Sequence, residues 1–234
     1  MITLSKLRIN LSSNISVYIP PLTFQKGKIY LLLGDSGCGK TSFLKALAGF
    51  IPKNHLEGTL PTFQTALLLQ NPMHQMIMST VESELKFPLI QYGFSDNDVE
   101  KKSTKIAEFF RLDSLLKSKL YDLSFGELQT VMLAATLLIP ADLILLDEPT
   151  SHLDYPMIEK MYSWIHQYGN DSAFLVASQF PDEYRFVDTV LHFMGHQLKY
   201  MLDTNNYPQF IQENHDISRL EAETIQKYLN AINK

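Results

Sequence analysis

Two short segments carry residue types suited to binding and cleaving a nucleoside triphosphate. Residues 34–41 read Gly-Asp-Ser-Gly-Cys-Gly-Lys-Thr and follow the apolar run Ile29–Leu33. Glycine lets the backbone wrap closely around an anion, so that several N–H groups point at phosphate oxygens. The segment therefore predicts a phosphate-binding loop between a strand and a helix. Taken alone, it also fits a glycine-rich turn that binds no ligand.

The loop and the first turn of the following helix supply the predicted nucleotide contacts. They are the consecutive residues Gly34, Asp35, Ser36, Gly37, Cys38, Gly39, Lys40, Thr41 and Ser42. Lys40 is expected to reach the terminal phosphates, and the Thr41 hydroxyl is expected to bind Mg²⁺. The start of the helix adds the positive end of its dipole. We interpret Cys38, at a variable position of the pattern, as a small filler.

The second segment is an apolar run at 143–146 that ends in Asp147 and Glu148. A buried parallel strand explains the apolar residues but not the paired acids at its end. Ligands of open α/β sheets bind beyond the carboxyl ends of the strands, where these acids must lie. Asp147 is suited to hold Mg²⁺ through water, and Glu148 is suited to act as general base on the attacking water.

The elements that must position these residues alternate between strand and helix patterns. The first 33 residues contain short β-rich pieces, including one alternating segment at 2–9, whereas helix periodicity dominates from about 79 to 139. Strand patterns return at 143–148, 173–177, 190–193 and 197–201. The pattern predicts an α/β core interrupted by a helical insert.

Composition restricts the class of protein. The chain has 234 residues, 45% of them hydrophobic and 19% charged, which is typical of a globular protein with a sizeable core. A net charge of −5 argues against a nucleic-acid groove. The single cysteine allows no internal disulfide and fits a reducing compartment. The uncharged, mostly apolar stretch at 128–141 is too short to span a bilayer.

A third segment, Leu-Ser-Phe-Gly-Glu at 123–127, narrows the class further. Locally it is a capping box, with Ser124 and Glu127 at the start of a helix. Five features occur along the chain in an order that resembles the ATP-binding-cassette ATPases. They are the phosphate loop, Gln70, this segment, Leu-Leu-Asp-Glu-Pro-Thr and Ser-His-Leu-Asp. Within that family, residues 69–75 and 79–85 are most similar to the energy-coupling-factor importers, which take up vitamins or transition-metal ions.

The resemblance implies a fold and a division into parts. It implies a P-loop NTPase core with a mostly parallel sheet, an N-terminal antiparallel β-subdomain and an inserted α-helical subdomain. We expect an ATPase domain over 1–205, with its core in 1–71 and 141–205 and its helical subdomain at about 72–140. Residues 206–234 are expected to form a helical tail.

The resemblance also implies roles for residues outside the two nucleotide segments. Two cassettes of this family enclose two ATP molecules head to tail, so Ser124, Gly126 and Glu127 would complete the phosphate site of a second chain. Gln70 would contact Mg²⁺ and the attacking water, although it also fits a polar strand end facing water. Asp154 would link the two sites, although it also fits a helix N-cap.

The chain departs from the family at four places, one of which is Leu128-Gln129-Thr130, where the basic residues that usually follow the 123–127 segment are absent. Gln179 stands where the family has a histidine, and it can contact a γ-phosphate but cannot carry a proton near neutral pH. Phe125 replaces the first glycine of the 123–127 segment. Leu11 falls where an aromatic residue is expected to stack on adenine, and Tyr18 could substitute only in a different loop arrangement. We expect slow ATP hydrolysis by the chain alone, or a role as one half of an asymmetric pair.

The leading interpretation is the ATP-hydrolysing subunit of a membrane importer, with ATP and Mg²⁺ as cofactors. Its expected partners are a second ATPase chain, identical or not, and integral membrane subunits docking near Gln70–Glu84, with no nucleic acid. We expect it in the cytoplasm, peripheral on the inner face of the membrane. Two alternatives stay open: a soluble cassette protein outside transport, and a weakly catalytic module that regulates a paralogue.

Overall fold

Short apolar segments form the strands, and longer periodic segments form the helices. The computed structural model describes residues 1–12 and 14–213. The strands are β1 (Ile2–Leu4), β2 (Leu7–Asn10), β3 (Ser16–Ile19), β4 (Leu22–Phe24), β5 (Ile29–Leu33), β6 (Leu56–Glu57), β7 (Thr65–Leu68), β8 (Leu143–Asp147), β9 (Ala173–Ala177), β10 (Thr189–Met194) and β11 (Gln197–Asp203). The helices are α1 (Lys40–Leu47), α2 (Val81–Gln91), α3 (Asp96–Phe110), α4 (Phe125–Leu137), α5 (Tyr155–Tyr168) and α6 (Tyr207–Glu213).

The central element is a nine-stranded sheet in the order β6-β2-β3-β11-β10-β5-β9-β8-β7. Its half from β10 to β7 is parallel throughout. The strands near the N-terminus pair antiparallel with one another and join the parallel half through β11. Every residue of β5, β8 and β9 is buried, as expected for parallel strands that are covered on both faces.

The sheet separates two apolar cores. Leu31 and Leu33 of β5 pack with residues of α2 to α5 on one face. Tyr30 and Leu32 point to the other face, where α1 and the N-terminal strands pack. This alternation follows from the two-residue period of a strand, and it fixes both layers of helices relative to the strand that precedes the phosphate loop.

The predicted fold class is confirmed: a mostly parallel α/β sheet, antiparallel strands at the N-terminus, and a run of helices between β7 and β8. The single alternating segment at 2–9 is wrong in detail. It forms two strands, because β1 leaves to pair with β4 in a separate antiparallel sheet while β2 pairs with β3. β4 was not predicted: it is a three-residue strand that directly follows two prolines.

Two expectations remain, a helical tail at the C-terminus and a chain without a membrane-spanning segment. The predicted C-terminal helical tail begins with α6, and residues 214–234 lie outside the described part of the chain. Among the described residues, no helix combines the length and apolarity that crossing a membrane requires.

Removing side-chain volume from a fully buried parallel strand tests the two-layer packing. Leu145 of β8 is fully buried. We expect Leu145→Ala to lower the free energy of unfolding by about 2–5 kcal/mol, since it loses apolar burial and leaves a cavity. Urea denaturation measures the change. Met201→Ala, at a side chain that is 60% exposed, should stay within about 0.5 kcal/mol of the wild type. Equal losses in both variants would contradict this packing.

Candidate functional site

The predicted nucleotide residues meet where four adjacent parallel strands end. In the order β5-β9-β8-β7, the strands all run the same way and have their carboxyl ends at one edge. The glycine loop follows β5, and Gln179 and Gln70 follow β9 and β7. Asp147 is the last residue of β8, and Glu148 directly follows it. Sheet topology therefore brings together residues that are up to about 150 positions apart in the chain.

The loop between β5 and α1 has a shape that only glycine allows. Gly34, Gly37 and Gly39 have φ of 145°, 80° and 113°, a region that side chains rarely adopt. A Cβ on Gly39 would lie 2.5 Å from Cγ2 of Val17, and one on Gly34 would lie 2.7 Å from Cβ of Phe193. Val17 and Phe193 thus pack tightly against the two ends of the loop, while its tip at 35–37 is exposed.

Lys40 closes the loop from within. Its Nζ donates hydrogen bonds to the carbonyl oxygens of Gly34 at 2.5 Å and Asp35 at 3.2 Å, and the residue is buried. Cys38 is also buried, and burial raises the pKa of its thiol. A thiol held in its neutral form is a poor nucleophile, which agrees with the interpretation of Cys38 as a filler.

Asp147 lies directly beside the start of α1. The Thr41 hydroxyl donates to its Oδ1 at 3.1 Å. Burial raises the pKa of Asp147, the Thr41 hydrogen bond opposes this, and the neighbouring charge of Glu148 raises it further. A hydroxyl and a carboxylate oxygen are the hard donors that Mg²⁺ prefers, and phosphate oxygens and water usually complete its octahedron. These two residues therefore fit the predicted ion.

Glu148 has an unusual backbone. Its φ is 50°, in the left-handed region that costs a residue with a Cβ about 1–2 kcal/mol. Neighbouring groups hold it there: its N–H donates to Ala177 O at 2.9 Å, and its carbonyl accepts the Ser151 hydroxyl at 3.0 Å. Strain of this kind is concentrated at functional sites. The chain therefore turns sharply at the predicted general base.

The Glu148 carboxylate lies between two amide side chains. Gln70 Nε2 donates to its Oε2 at 2.9 Å, and Gln179 Nε2 donates to its Oε1 at 2.6 Å. Both glutamines are exposed, whereas Glu148 is half-buried. The three residues that we predicted to be catalytic are thus in direct contact, and the carboxylate joins the ends of β7, β8 and β9.

The 123–127 segment lies elsewhere. The predicted capping box is present: the Ser124 N–H donates to Glu127 Oε2 at 2.9 Å, and the Glu127 N–H donates to Ser124 Oγ at 3.4 Å. The hydrogen bonds from Ser124 hold the pKa of Glu127 below its usual value. The Phe125 ring packs edge-on against His152, with 4.4 Å between centroids. Ser124, Gly126 and Glu127 thus lie at the start of α4, and a Cβ on Gly126 would lie 3.1 Å from the His152 carbonyl oxygen.

Asp154, in the same loop, caps α5 by accepting from the Met157 N–H at 3.0 Å. This is the N-cap that the sequence analysis left open. A role across two chains is compatible with it, because the cap uses only one carboxylate oxygen.

Position 11, where an aromatic residue would stack on the adenine ring, is a leucine. Leu11 lies in the turn after β2, where its N–H donates to Ile15 O at 2.9 Å. Tyr18 of β3 is 39% exposed and lies under the Arg8 guanidinium, 5.2 Å from its ring centroid. Tyr18 lines a shallow depression with His196, whose Nδ1 is 3.3 Å from the carbonyl oxygen of Cys38. The depression thus adjoins the glycine loop.

Sequence reasoning missed two buried polar groups behind the site. Glu183 accepts hydrogen bonds from three hydroxyls, those of Thr150, Tyr162 and Ser178. Gln129 of α4 donates to the carbonyl of Pro149 at 3.2 Å. Glu183 lies in the polar segment Pro-Asp-Glu-Tyr-Arg, a composition typical of an exposed turn. No local pattern therefore predicts that it is buried.

A glycine loop after the first parallel strand, with the acids of β8 beside it, defines this fold as a P-loop NTPase. The sequence profile of the family described as ABC transporter matches residues 20–151, more than half of the chain. The chain belongs to the ABC transporter family.

Its curated relatives agree. The energy-coupling factor transporter ATP-binding protein EcfA1 of Thermotoga maritima is 28% identical over 202 residues, which cover 82% of this chain and 77% of that protein. This confirms the predicted resemblance to the energy-coupling-factor importers. An ABC transporter ATP-binding protein of Treponema denticola is 30% identical over 156 residues, or 59% of this chain. The chain spans only 32% of the length of that relative.

Solved structures share the fold. One is an ATP-binding subunit of an ABC transporter, with a TM-score of 0.75 and 18% identity over 94% of this chain and 99% of that one. Another is CbiO1 of Clostridium perfringens, part of the transporter complex CbiONQ, with a TM-score of 0.74 and 16% identity over 95% and 98%. At these identities the likeness establishes the fold alone.

The capping box predicts a specific cost at the start of α4. We expect Ser124→Ala to reduce the free energy of unfolding by about 1 kcal/mol, because the Glu127 N–H loses its acceptor. Glu127→Gln, which keeps an oxygen for the Ser124 N–H, should cost less than half as much. Urea denaturation of both variants measures the difference. A larger loss for Glu127→Gln would show that charge rather than capping holds the helix start.

Proposed function

We propose that this chain binds Mg-ATP at the 34–42 loop and hydrolyses it as the ATP-binding subunit of a membrane importer. The observation that carries the proposal is the Glu148 carboxylate, held between Gln70 and Gln179 beside the hydrogen-bonded Thr41 and Asp147. A plain glycine-rich turn would not require two acids and two amides around it.

Binding would begin with the loop amides and the start of α1, which offer N–H groups and a positive dipole end to the phosphates. Lys40 would exchange its carbonyl partners for the terminal phosphates. Mg²⁺, held by Thr41, by Asp147 through water and by Gln70, would supply neutralisation of the phosphate charge. The backbone groups of residues 34–39 and the side chain of Ser42 would make the remaining contacts with the nucleotide.

Hydrolysis would use Glu148 as the base that orients and deprotonates the attacking water. Gln70 and Gln179 would hold that carboxylate and the water in place, as their present hydrogen bonds to it suggest. Gln179 cannot take up a proton near neutral pH, and Phe125 adds a Cβ beside the position of a partner's phosphate. We therefore propose slow turnover by the chain alone.

Two substitutions separate binding from cleavage. Glu148→Gln should bind Mg-ATP nearly as well as the wild type but lose about 10²–10⁴-fold in turnover, because an amide cannot act as a base. Lys40→Ala should lose binding itself, while Lys6→Ala, at an exposed lysine outside the site, should bind normally. Calorimetry and phosphate release measure both. Turnover unchanged in Glu148→Gln would instead favour the regulatory, weakly catalytic alternative.

A single chain presents only part of the site. Ser124, Gly126 and Glu127 make their contacts at the start of α4 rather than at their own glycine loop. We propose that they face the phosphates bound by a second ATPase chain, identical or different. The start of α4 suits this role, since its free N–H groups and dipole favour an anion.

The membrane subunit would dock on the insert at about 72–140, near the segment from Gln70 to Glu84. Ile77 and Met73 expose 60% and 55% of their surface there. The buried carboxylate of Glu84 accepts the N–H groups of Ile77 and Met78 at 3.1 and 2.7 Å, which fixes the segment. Its link to catalysis would be Gln70. In this arrangement the chain would lie on the cytoplasmic face of the membrane.

A charge placed on this surface should prevent docking. We expect Ile77→Asp to lose co-purification with a polytopic membrane protein while it still binds Mg-ATP, because burying the new carboxylate is unfavourable. Met201→Asp, on β11 and equally exposed at 60%, is the matched control. Recovery of a soluble complex, unaffected by Ile77→Asp, would support the alternative of a cassette protein outside transport.

A further inference from the structure

Glu183 is a buried carboxylate for which the proposed mechanism has no role. Only 3% of its surface is exposed. Its Oε1 accepts from Thr150 Oγ1 at 2.6 Å and from Ser178 Oγ at 2.9 Å, and its Oε2 accepts from Tyr162 OH at 2.5 Å. Burial raises its pKa, and the three hydroxyls oppose that shift. Hydrogen bonds to a carboxylate are short and strongly directional, so Glu183 restricts the positions of the segments that carry the three hydroxyls.

Two of the donors belong to the loops that form the site. Thr150 follows Glu148 and Pro149 after β8, and Ser178 immediately precedes Gln179 after β9. Both donate to the same oxygen, Oε1, which ties the two loops to one point. Ser178 Oγ also accepts the Phe180 N–H at 3.0 Å, which fixes the backbone on the far side of Gln179.

The third donor has a different location. Tyr162 lies within α5, is buried, and reaches the other oxygen, Oε2. It anchors Glu183 to the helix layer through this hydrogen bond. The carboxylate therefore has one side that holds the site loops and one side that holds the scaffold.

The geometry points to Glu183 as a positioning residue: we propose that it sets the distance between the Glu148 and Gln179 loops and thereby the orientation of the Glu148 carboxylate for hydrolysis. This inference rests on the proposed function. The Glu148–Gln179 hydrogen bond of 2.6 Å requires both loops to be in register. A misplacement of about 1 Å can lower a rate by about 10²-fold while ground-state binding survives.

Single-hydroxyl variants distinguish positioning from general support of the fold. Thr150→Val and Ser178→Ala each remove one hydrogen bond from the loop side of Glu183, and Tyr162→Phe removes the one on the scaffold side. Thr150→Ser restores the hydroxyl and is the conservative rescue. For each purified variant we would measure the unfolding midpoint, the Kd for Mg-ATP and the single-turnover rate of hydrolysis.

We expect Thr150→Val and Ser178→Ala to hydrolyse ATP at least about tenfold more slowly, with Kd within about twofold of the wild type. Thr150→Ser should recover the rate. Tyr162→Phe should lower the unfolding midpoint yet keep the rate within about twofold, since it leaves both loop hydrogen bonds in place. If Thr150→Val does not fold, Ser178→Ala decides on the same measurements.

Rates that fall equally in Tyr162→Phe and the loop variants, or rates unchanged in all of them, would overturn the positioning role. A wild-type chain that neither binds nor hydrolyses Mg-ATP would overturn the proposed function itself. The two failures are thus distinguishable by the wild type alone.

Discussion

The site depends on one carboxylate that holds three strand ends together. Glu148 accepts amide hydrogen bonds from Gln70 and Gln179, and its own N–H bonds back to β9. Because β9, β8 and β7 are neighbours in the sheet, these groups can meet only at this edge. Gln70, which begins the segment we propose for docking, donates directly to the proposed base. If a partner docks on this segment as we propose, a displacement of Gln70 would change its hydrogen bond to Glu148.

A second layer of polar contacts lies beneath the first. Glu183 gathers hydroxyls from the loops after β8 and β9, and Gln129 reaches from α4 to the carbonyl of Pro149. Strong acceptors in a buried environment make such contacts stiff, since a lost partner leaves an unsatisfied group. The left-handed turn at Glu148 is held by the Ala177 carbonyl and the Ser151 hydroxyl, and Pro149 and Thr150, the next two residues, contact Gln129 and Glu183. Glu148 and the hydrogen-bonded residues around it are therefore expected to move together.

The two segments that we propose to bind nucleotide across a pair of chains lie at different places in the fold. The glycine loop, Asp147 and Glu148 occupy the sheet edge, whereas Ser124 and Gly126 occupy the start of α4. The contact of Phe125 with His152 ties the second segment to the loop that follows the proposed base. A complete site in two chains would therefore couple each active centre to the other through a short path of packed side chains.

Local patterns in the sequence determined the glycine loop, the acidic end of β8, the capping box at Ser124 and the alternation of the core elements. Each is a short-range preference, set by backbone sterics or by hydrogen bonds to nearby residues. The tertiary structure alone decided that β1 pairs with β4 and that the Glu148 carboxylate lies between two glutamines. It alone decided that Glu183, in a polar run, is buried. These outcomes join residues that are far apart in the chain, and they depend on which strands become neighbours, which short-range preferences do not specify.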